Sequence, residues 1–208
     1  METLTVQVGS FEVNSTLIAN GRRAVVIDPG QEGERIVKLA AERNWEIVGV
    51  VLTHAHFDHI GAIPQLEAQL GPVPVMVAAA DAVMFGHPLN CYPPDYPSIA
   101  RPQKVVTAEA GEVTLANGLK LRAIATPGHT PGGMCYFVEA DGERPLLFSG
   151  DTLFAGSIGR TDLPGGDMAM LMNSLEALKA LPGVTRVIPG HGPFTTIAEE
   201  LERNPFLQ

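Results

Sequence analysis

The stretch THAHFDHIGA places His54, His56, Asp58 and His59 within six consecutive positions. Three imidazoles and a carboxylate this close together offer nitrogen and oxygen donors of the kind that hold zinc, iron or manganese. Three further donors each stand just beyond an apolar run: His129 in ATPGHTPGG, Asp151 in LLFSGDTLF and His191 in TRVIPGHGP. All three are set among Gly or Pro, which turn the backbone sharply beside a rigid neighbour. Taken alone, Asp151 fits a turn or helix cap and His191 fits a simple turn. The group from 54 to 59 does not, because four polar side chains at the end of an apolar strand are costly unless something satisfies them. His87 has no such company and reads as a solvated loop residue. A cation held by the cluster would act as a Lewis acid on water and on a carbonyl.

Positioning these groups requires strands that end where the donors begin. LTVQV, NSTLIA and AVVID are short β-rich runs, and Asp28-Pro29-Gly30 marks a turn after the third. EGERIVKLAAERN has helical apolar spacing, EIVGVVLT is a strand that leads into the cluster, and IPQLEAQLG is a short helix closed by Gly71. His54 and His56 are two apart, so an extended chain points both the same way. After the strand VPVMVA, residues 86–104 carry five prolines and no periodicity, the mark of a long surface loop. KVVTA, EVTLA, LKLRAIAT, MCYFVEA and PLLFSG follow as strands, then the helix MAMLMNSLEALKAL and TRVIPG as the final strand. Two β-rich halves, each followed by helices, predict two packed sheets with helices outside.

The remaining properties narrow the class. A chain of 208 residues without a linker or low-complexity segment predicts a single domain over 1–208. No apolar run reaches membrane-spanning length, and METLTVQVGS has neither a basic nor an apolar signal region, which points to a cytoplasmic protein away from membranes. Two cysteines make no disulfide framework. A formal charge of -9 with scattered Lys and Arg argues against a nucleic-acid partner.

THAHFDH followed by PGHTPG, FSGD and GHGP resembles the metallo-β-lactamase superfamily, whose pattern is H-x-H-x-D-H, then His, Asp and His. The likeness runs in order along nearly the whole chain. It implies an α+β fold, a four-layer αββα sandwich with the metal site at the edge between the sheets, and two divalent ions per chain. His54, His56 and His129 match the ligands of the first ion, Asp58, His59 and His191 those of the second, and Asp151 the bridging carboxylate. SGDTLFAGSIGRTDLPGGD is similar to the stretch around the bridging aspartate in single-domain glyoxalase II-like thioester hydrolases. Full-length glyoxalase II adds a C-terminal helical domain with basic glutathione contacts. Here the chain runs only seventeen residues beyond His191, and the family's Gly-Lys-Phe-Tyr reads Gly159-Arg160-Thr161-Asp162.

The resemblance implies hydrolysis of a small-molecule thioester, hydroxyacylglutathione-like, by hydroxide formed on the metals. The metal lowers the pKa of its water from about 16 to about 7. A thiolate with a pKa of roughly 8.5 leaves without a dedicated acid. Asp58 would orient the nucleophile as well as bind metal. Zinc suffices, with iron or manganese as further candidates. Arg160 is positioned to meet a substrate carboxylate. Tyr92, Tyr96 and Arg101 of the long loop would line the mouth of the site, unless that loop is a proline-stiffened cover. Thr53, Thr130 and Ser149 are candidates to fix the imidazoles, or else make ordinary turn hydrogen bonds. GRTD is also similar to persulfide dioxygenases, which use one iron on the same scaffold, and a metal-bound binding protein without turnover is the alternative from another class.

Overall fold

The structure, a computed structural model, describes residues 1–139 and 142–208. The first half contains β1 (Glu2–Val8), β2 (Val13–Asn20), β3 (Arg23–Ile27), α1 (Gly33–Glu42), β4 (Glu46–Val51), α2 (Phe57–Ile60), α3 (Ile63–Leu70), β5 (Val75–Ala78) and β6 (Val105–Ala108). A single turn of 3-10 helix, Ala82–Met84, precedes the long loop. The second half contains β7 (Gly111–Thr114), β8 (Lys120–Ala125), β9 (Met134–Val138), β10 (Leu146–Gly150), β11 (Leu153–Phe154), β12 (Ser157–Ile158), α4 (Met168–Lys179), β13 (Arg186–Pro189), β14 (Thr195–Thr196) and α5 (Ile197–Arg203).

One sheet runs β1-β2-β3-β4-β5-β6 and the other β14-β13-β10-β9-β8-β7. β3, β4, β5 and β6 are parallel neighbours, as are β10 and β13, so their C-terminal ends emerge on one side of each sheet. The strands alternate along their length, and this separates three apolar layers. Leu17, Val26, Val50 and Val75 face α1 and α3 through Ile36, Ile63 and Leu66. Ile18, Val25, Ile27 and Val51 face the opposite sheet, where they meet Tyr136, Phe148 and Ile188. Cys135, Phe137, Leu147 and Val187 turn outward onto Leu171, Leu175 and Leu178 of α4. Helix, sheet, sheet, helix is therefore the order of the layers, as the sequence predicts.

TRVIPG is not the last strand. β14 and α5 follow it, and α2 forms inside the His-rich stretch. Two-residue strands and a four-residue helix are too short to produce a periodic signal. α5 does carry one: Thr196 and Glu199 form the Thr-x-x-Glu start of a helix, with the Thr196 hydroxyl accepting from Glu199 N at 3.2 Å. In the long loop the structure contains no helix or strand, only a bridge between Tyr92 and Tyr96.

Candidate metal centre

The seven donors predicted from sequence converge at the edge between the sheets. His54, His56, Asp58 and His59 follow β4, while His129, Asp151 and His191 follow β8, β10 and β13 of the other sheet. Ligand atoms of His54, His56 and His129 lie within 4.8 Å of one another, and so do those of Asp58, His59 and His191. Asp151 stands between the two triads. Its Oδ2 is 3.5 Å from His129 Nε2 and 3.6 Å from His191 Nε2, and its Oδ1 is 3.4 Å from His59 Nε2. His191 Nε2 is 3.3 Å from Asp58 Oδ2 and 3.3 Å from His59 Nε2, and His56 Nδ1 is 2.9 Å from His129 Nε2. A tetrahedral ion bonded to nitrogen at about 2.0–2.1 Å keeps its ligands roughly 3.3 Å apart, so these spacings fit metal coordination.

The hydrogen bonds around the cluster decide which ring nitrogens are bare. His129 Nδ1 donates to the Arg160 carbonyl and His191 Nδ1 to the Phe11 carbonyl, both at 2.7 Å. A neutral imidazole that donates at one nitrogen carries a lone pair at the other. His54 Nδ1 faces Thr53 Oγ1 at 3.1 Å, and Thr53 Oγ1 itself donates to Asp28 Oδ2 at 2.6 Å, so His54 is the donor there. His59 Nδ1 lies 3.1 Å from Asp28 Oδ2, near enough for charge attraction although its alignment falls short of a hydrogen bond. In their neutral forms the Nε2 atoms of His54, His129 and His191 therefore turn lone pairs inward, and His59 Nε2 points into the same cluster. His54 Nε2 and Asp151 Oδ1 are buried with no hydrogen-bond partner at all. Facing lone pairs and orphaned acceptors repel unless a cation lies among them, and this donor set could hold metal.

Charge divides across the cluster. Burial pushes His54 well below the usual imidazole range, and the neighbouring imidazoles push the same way. Burial and then His129 bring His56 down to about 4. Both are thus neutral ligands. On the other side burial also opposes charge, but carboxylates prevail. Asp151, Asp58 and Asp28 hold His59 well above the usual range, and the Asp58 hydrogen bond and Asp151 raise His191. Burial would raise both carboxyls, yet His59 above all keeps Asp58 and Asp151 below theirs. The half of the site around Asp58 and Asp151 is therefore built to hold positive charge.

Three supporting residues escaped the sequence reading. Asp28, read as a turn, accepts from Thr53 N at 2.8 Å as well as from the Thr53 hydroxyl. It is 2% exposed and sits at φ 48, a left-handed conformation tolerated best by Gly, Asn and Asp. AVVID ends an apolar strand in Asp just as LLFSGD does, and that parallel was the available signal. Asp81 accepts from Ala55 N at 3.1 Å, Thr130 Oγ1 at 2.8 Å and Gly132 N at 2.6 Å, and so staples the His54–His56 segment to the turn that carries His129. Asn90 accepts from Phe57 N at 3.0 Å and donates to the Ala55 carbonyl at 2.9 Å. Gly190 is required beside Asp151, since a Cβ there would strike the Asp151 carboxylate.

The other candidates are dispersed. Arg160 gives its carbonyl to His129, while its exposed guanidinium is paired with Asp162 at 2.7 and 2.6 Å. Tyr92 is exposed and stacks on Phe57, 6.1 Å between centroids. Tyr96 is buried, its hydroxyl 3.4 Å from Ser10 Oγ and Phe11 N. Arg101 donates to the Ala82 carbonyl. Ser149 makes a turn bond to the Leu153 carbonyl, whereas Thr53 and Thr130 both act on the ligand loops.

A two-sheet sandwich with this cluster at its edge defines a class, and the chain belongs to the metallo-β-lactamase superfamily: the profile of that family matches residues 8–191. The chain is 36% identical to the hydroxyacylglutathione hydrolase GloC of Haemophilus influenzae (strain ATCC 51907 / DSM 11121 / KW20 / Rd), over 97% of this chain and 96% of that protein. Among solved structures it is similar to TTHA1623 in a di-iron-bound form, with 38% identity, a TM-score of 0.86 and coverage of 98% and 100%. It is also similar to the BLEG-1 B3 metallo-beta-lactamase, with 32% identity, a TM-score of 0.89 and 99% coverage of each. Among the described residues no helix is long and apolar enough to cross a membrane.

Proposed function

We propose that the chain is a metal-dependent hydrolase that cleaves a small-molecule thioester of the hydroxyacylglutathione kind. The observation that carries this reading is Asp151, whose two oxygens stand between a three-histidine set and an Asp-His-His set. His54, His56 and His129 would hold one divalent ion, and Asp58, His59 and His191 the other. Bound ions supply Lewis acidity, which lowers the pKa of water and polarises a carbonyl. The chain's own part is positional. Asp58 accepts a hydrogen of the attacking water and fixes its approach. The water oxygen bonds to the carbonyl carbon as it gives up one proton, the carbon–sulfur bond breaks, the acyl group departs as a carboxylate after losing the second proton to solvent, and the sulfur leaves as thiolate and takes up one proton. Arg160, by exchanging its Asp162 partner for a substrate carboxylate, and the exposed Tyr92 beside Phe57 would contact the substrate, whereas Tyr96, expected at the mouth, is buried against Phe11 and Phe57 and does not reach it. The likeness to GloC supports a thioester, and zinc meets the needs of hydrolysis.

The test is zinc-loaded protein under nitrogen, assayed for thiol release from S-lactoylglutathione and other thioesters, with metal counted per chain. Thiol release without oxygen supports the proposal. Iron-dependent oxygen uptake with glutathione persulfide, and no thiol from any thioester, would replace it with the dioxygenase reading. Bound metal with neither activity would make the chain a binding protein. The likeness to BLEG-1 favours one further reading, opening of a β-lactam ring by the same water, and a chromogenic cephalosporin in the same assay decides it.

A further inference from the structure

Beside the metal centre lies a cavity of about 250 Å³. His56 forms part of its wall, and Phe57, Val83, Met84, Leu89, Pro131 and Leu163 supply most of the rest. None of its lining residues is Lys, Arg, Asp or Glu. The amide of Asn90 is turned away onto Phe57 N and the Ala55 and Met84 carbonyls, and His87 Nδ1 accepts from Leu89 N. Arg160, in the loop that contributes Leu163, does not line the cavity. Val83 and Leu89, at 71% and 75%, are the two most exposed large apolar side chains among the described residues. Isolated exposed apolar residues are ordinary, but these two share one concave wall that opens beside a metal ligand.

We infer that this cavity receives the acyl group of the substrate, and that beyond the carbon next to the carbonyl, where a hydroxyl still faces the ligand cluster, this group is uncharged and apolar, a short aliphatic chain or ring. The inference rests on the thioester reading above. The carbon under attack must lie against the ligand cluster and carries two groups, the acyl substituent and the sulfur of the thiol carrier; of these the small acyl group is the one that a cavity of about 250 Å³ starting at His56 can take. A tripeptide-sized, charged thiol carrier suits the open side instead. A charged acyl group would lose water here and find only the Nε2 of His87 among the lining side chains as a partner. An apolar one gains about 0.8 kcal/mol for each methylene buried, roughly fourfold in kcat/KM.

The experiment compares S-acetyl-, S-butyryl-, S-hexanoyl- and S-succinylglutathione on the metal-loaded protein, and measures by calorimetry the binding of acetate, butyrate and hexanoate. The expected result is a rise in kcat/KM of roughly fifteenfold from acetyl to butyryl, a succinyl ester at least about tenfold poorer than butyryl, and tighter binding of the longer carboxylates. Leu89→Glu, a change at an exposed position, should flatten both series. Hydrolysis that is indifferent to chain length, with carboxylate binding equally flat, overturns the inference and leaves the thioester reading standing. Chain-length-dependent binding that Leu89→Glu abolishes, without hydrolysis of any thioester, sinks the thioester reading and keeps the apolar cavity. If neither series shows a gradient and no thioester is cleaved, both are wrong. A dimer that Leu89→Glu converts to monomer, with the acyl series unchanged, would show that a second copy covers this wall, and that also overturns the inference.

Discussion

Replacing Asp28 with Asn tests how the site keeps its imidazoles ready. Asn tolerates the left-handed backbone at this position and matches Asp in size, so the fold should survive. It has one acceptor oxygen where Asp28 has two. If that oxygen stays on Thr53 N, the new NH2 group faces Thr53 Oγ1 and His59 Nδ1, both of which meet a carboxylate oxygen in the wild type. Thr53 Oγ1 must then accept from the introduced amide and donate to His54 Nδ1, and His59 Nδ1 must likewise accept. Both rings would move their proton to Nε2, the nitrogen that faces the metal cluster. One histidine from each triad is thereby disabled by a residue that touches neither ion. Loss of an outer partner of this kind typically weakens metal binding 10–100-fold, about 1.4–2.7 kcal/mol per site. Competition against a chelator of known affinity reads this for each ion, and urea unfolding of the metal-free protein should show a loss of about 1–3 kcal/mol from the broken charged hydrogen bonds. Wild-type affinity for both ions in a folded Asp28→Asn protein would refute the reasoning.

Three further outcomes are expected. Metal analysis should find two ions per chain in the wild type and close to one in His191→Ala; a single ion in both would contradict the paired triads. Asp58→Asn, fully metallated, should lose at least about a hundredfold in turnover, and near-normal rates would remove Asp58 from the machinery. Cys135 is fully buried, and burial pushes its thiol up to about 11, so at pH 8 only about one thiol in a thousand is ionised, while Cys91 is partly exposed. A thiol reagent should therefore titrate one cysteine per native chain at pH 8 and two after denaturation; two fast thiols in the native state would contradict the packing under α4.

The donors were legible because metal chemistry demands a few residue types, and strand alternation demands that they sit just past an apolar run. That is why His54 to His59, His129, Asp151 and His191 could be chosen from six histidines and many carboxylates while His87 was set aside. His87 nevertheless lines the cavity beside His56, a placement set by the path of an aperiodic loop that no spacing encodes. Asp28, Asp81 and Asn90 were hidden for a related reason. Their roles are hydrogen bonds to residues 25, 49 and 33 positions away: Asp28 meets Thr53 only once β3 and β4 pair, Asn90 meets Phe57 only once the long loop folds back, and Asp81 meets Thr130 only once the two sheets pack. Tyr96 illustrates the limit from the other direction: its residue type and loop position suit a pocket mouth, yet packing against Phe11 and Phe57 buries the ring.

The staple at Asp81 bears on how the protein matures. Four donors leave the ribosome early, as a flexible stretch from His54 to His59, long before His129, Asp151 and His191 exist to complete either triad. Asp81 acquires Thr130 and Gly132 only when the second sheet docks on the first. Until then the early imidazoles are held only from within their own half, by Asp28, Asp81 and Asn90, and any ion they meet is shared with water. High-affinity loading would thus wait for the second half, and a tightly bound ion would report that the two halves have come together in register.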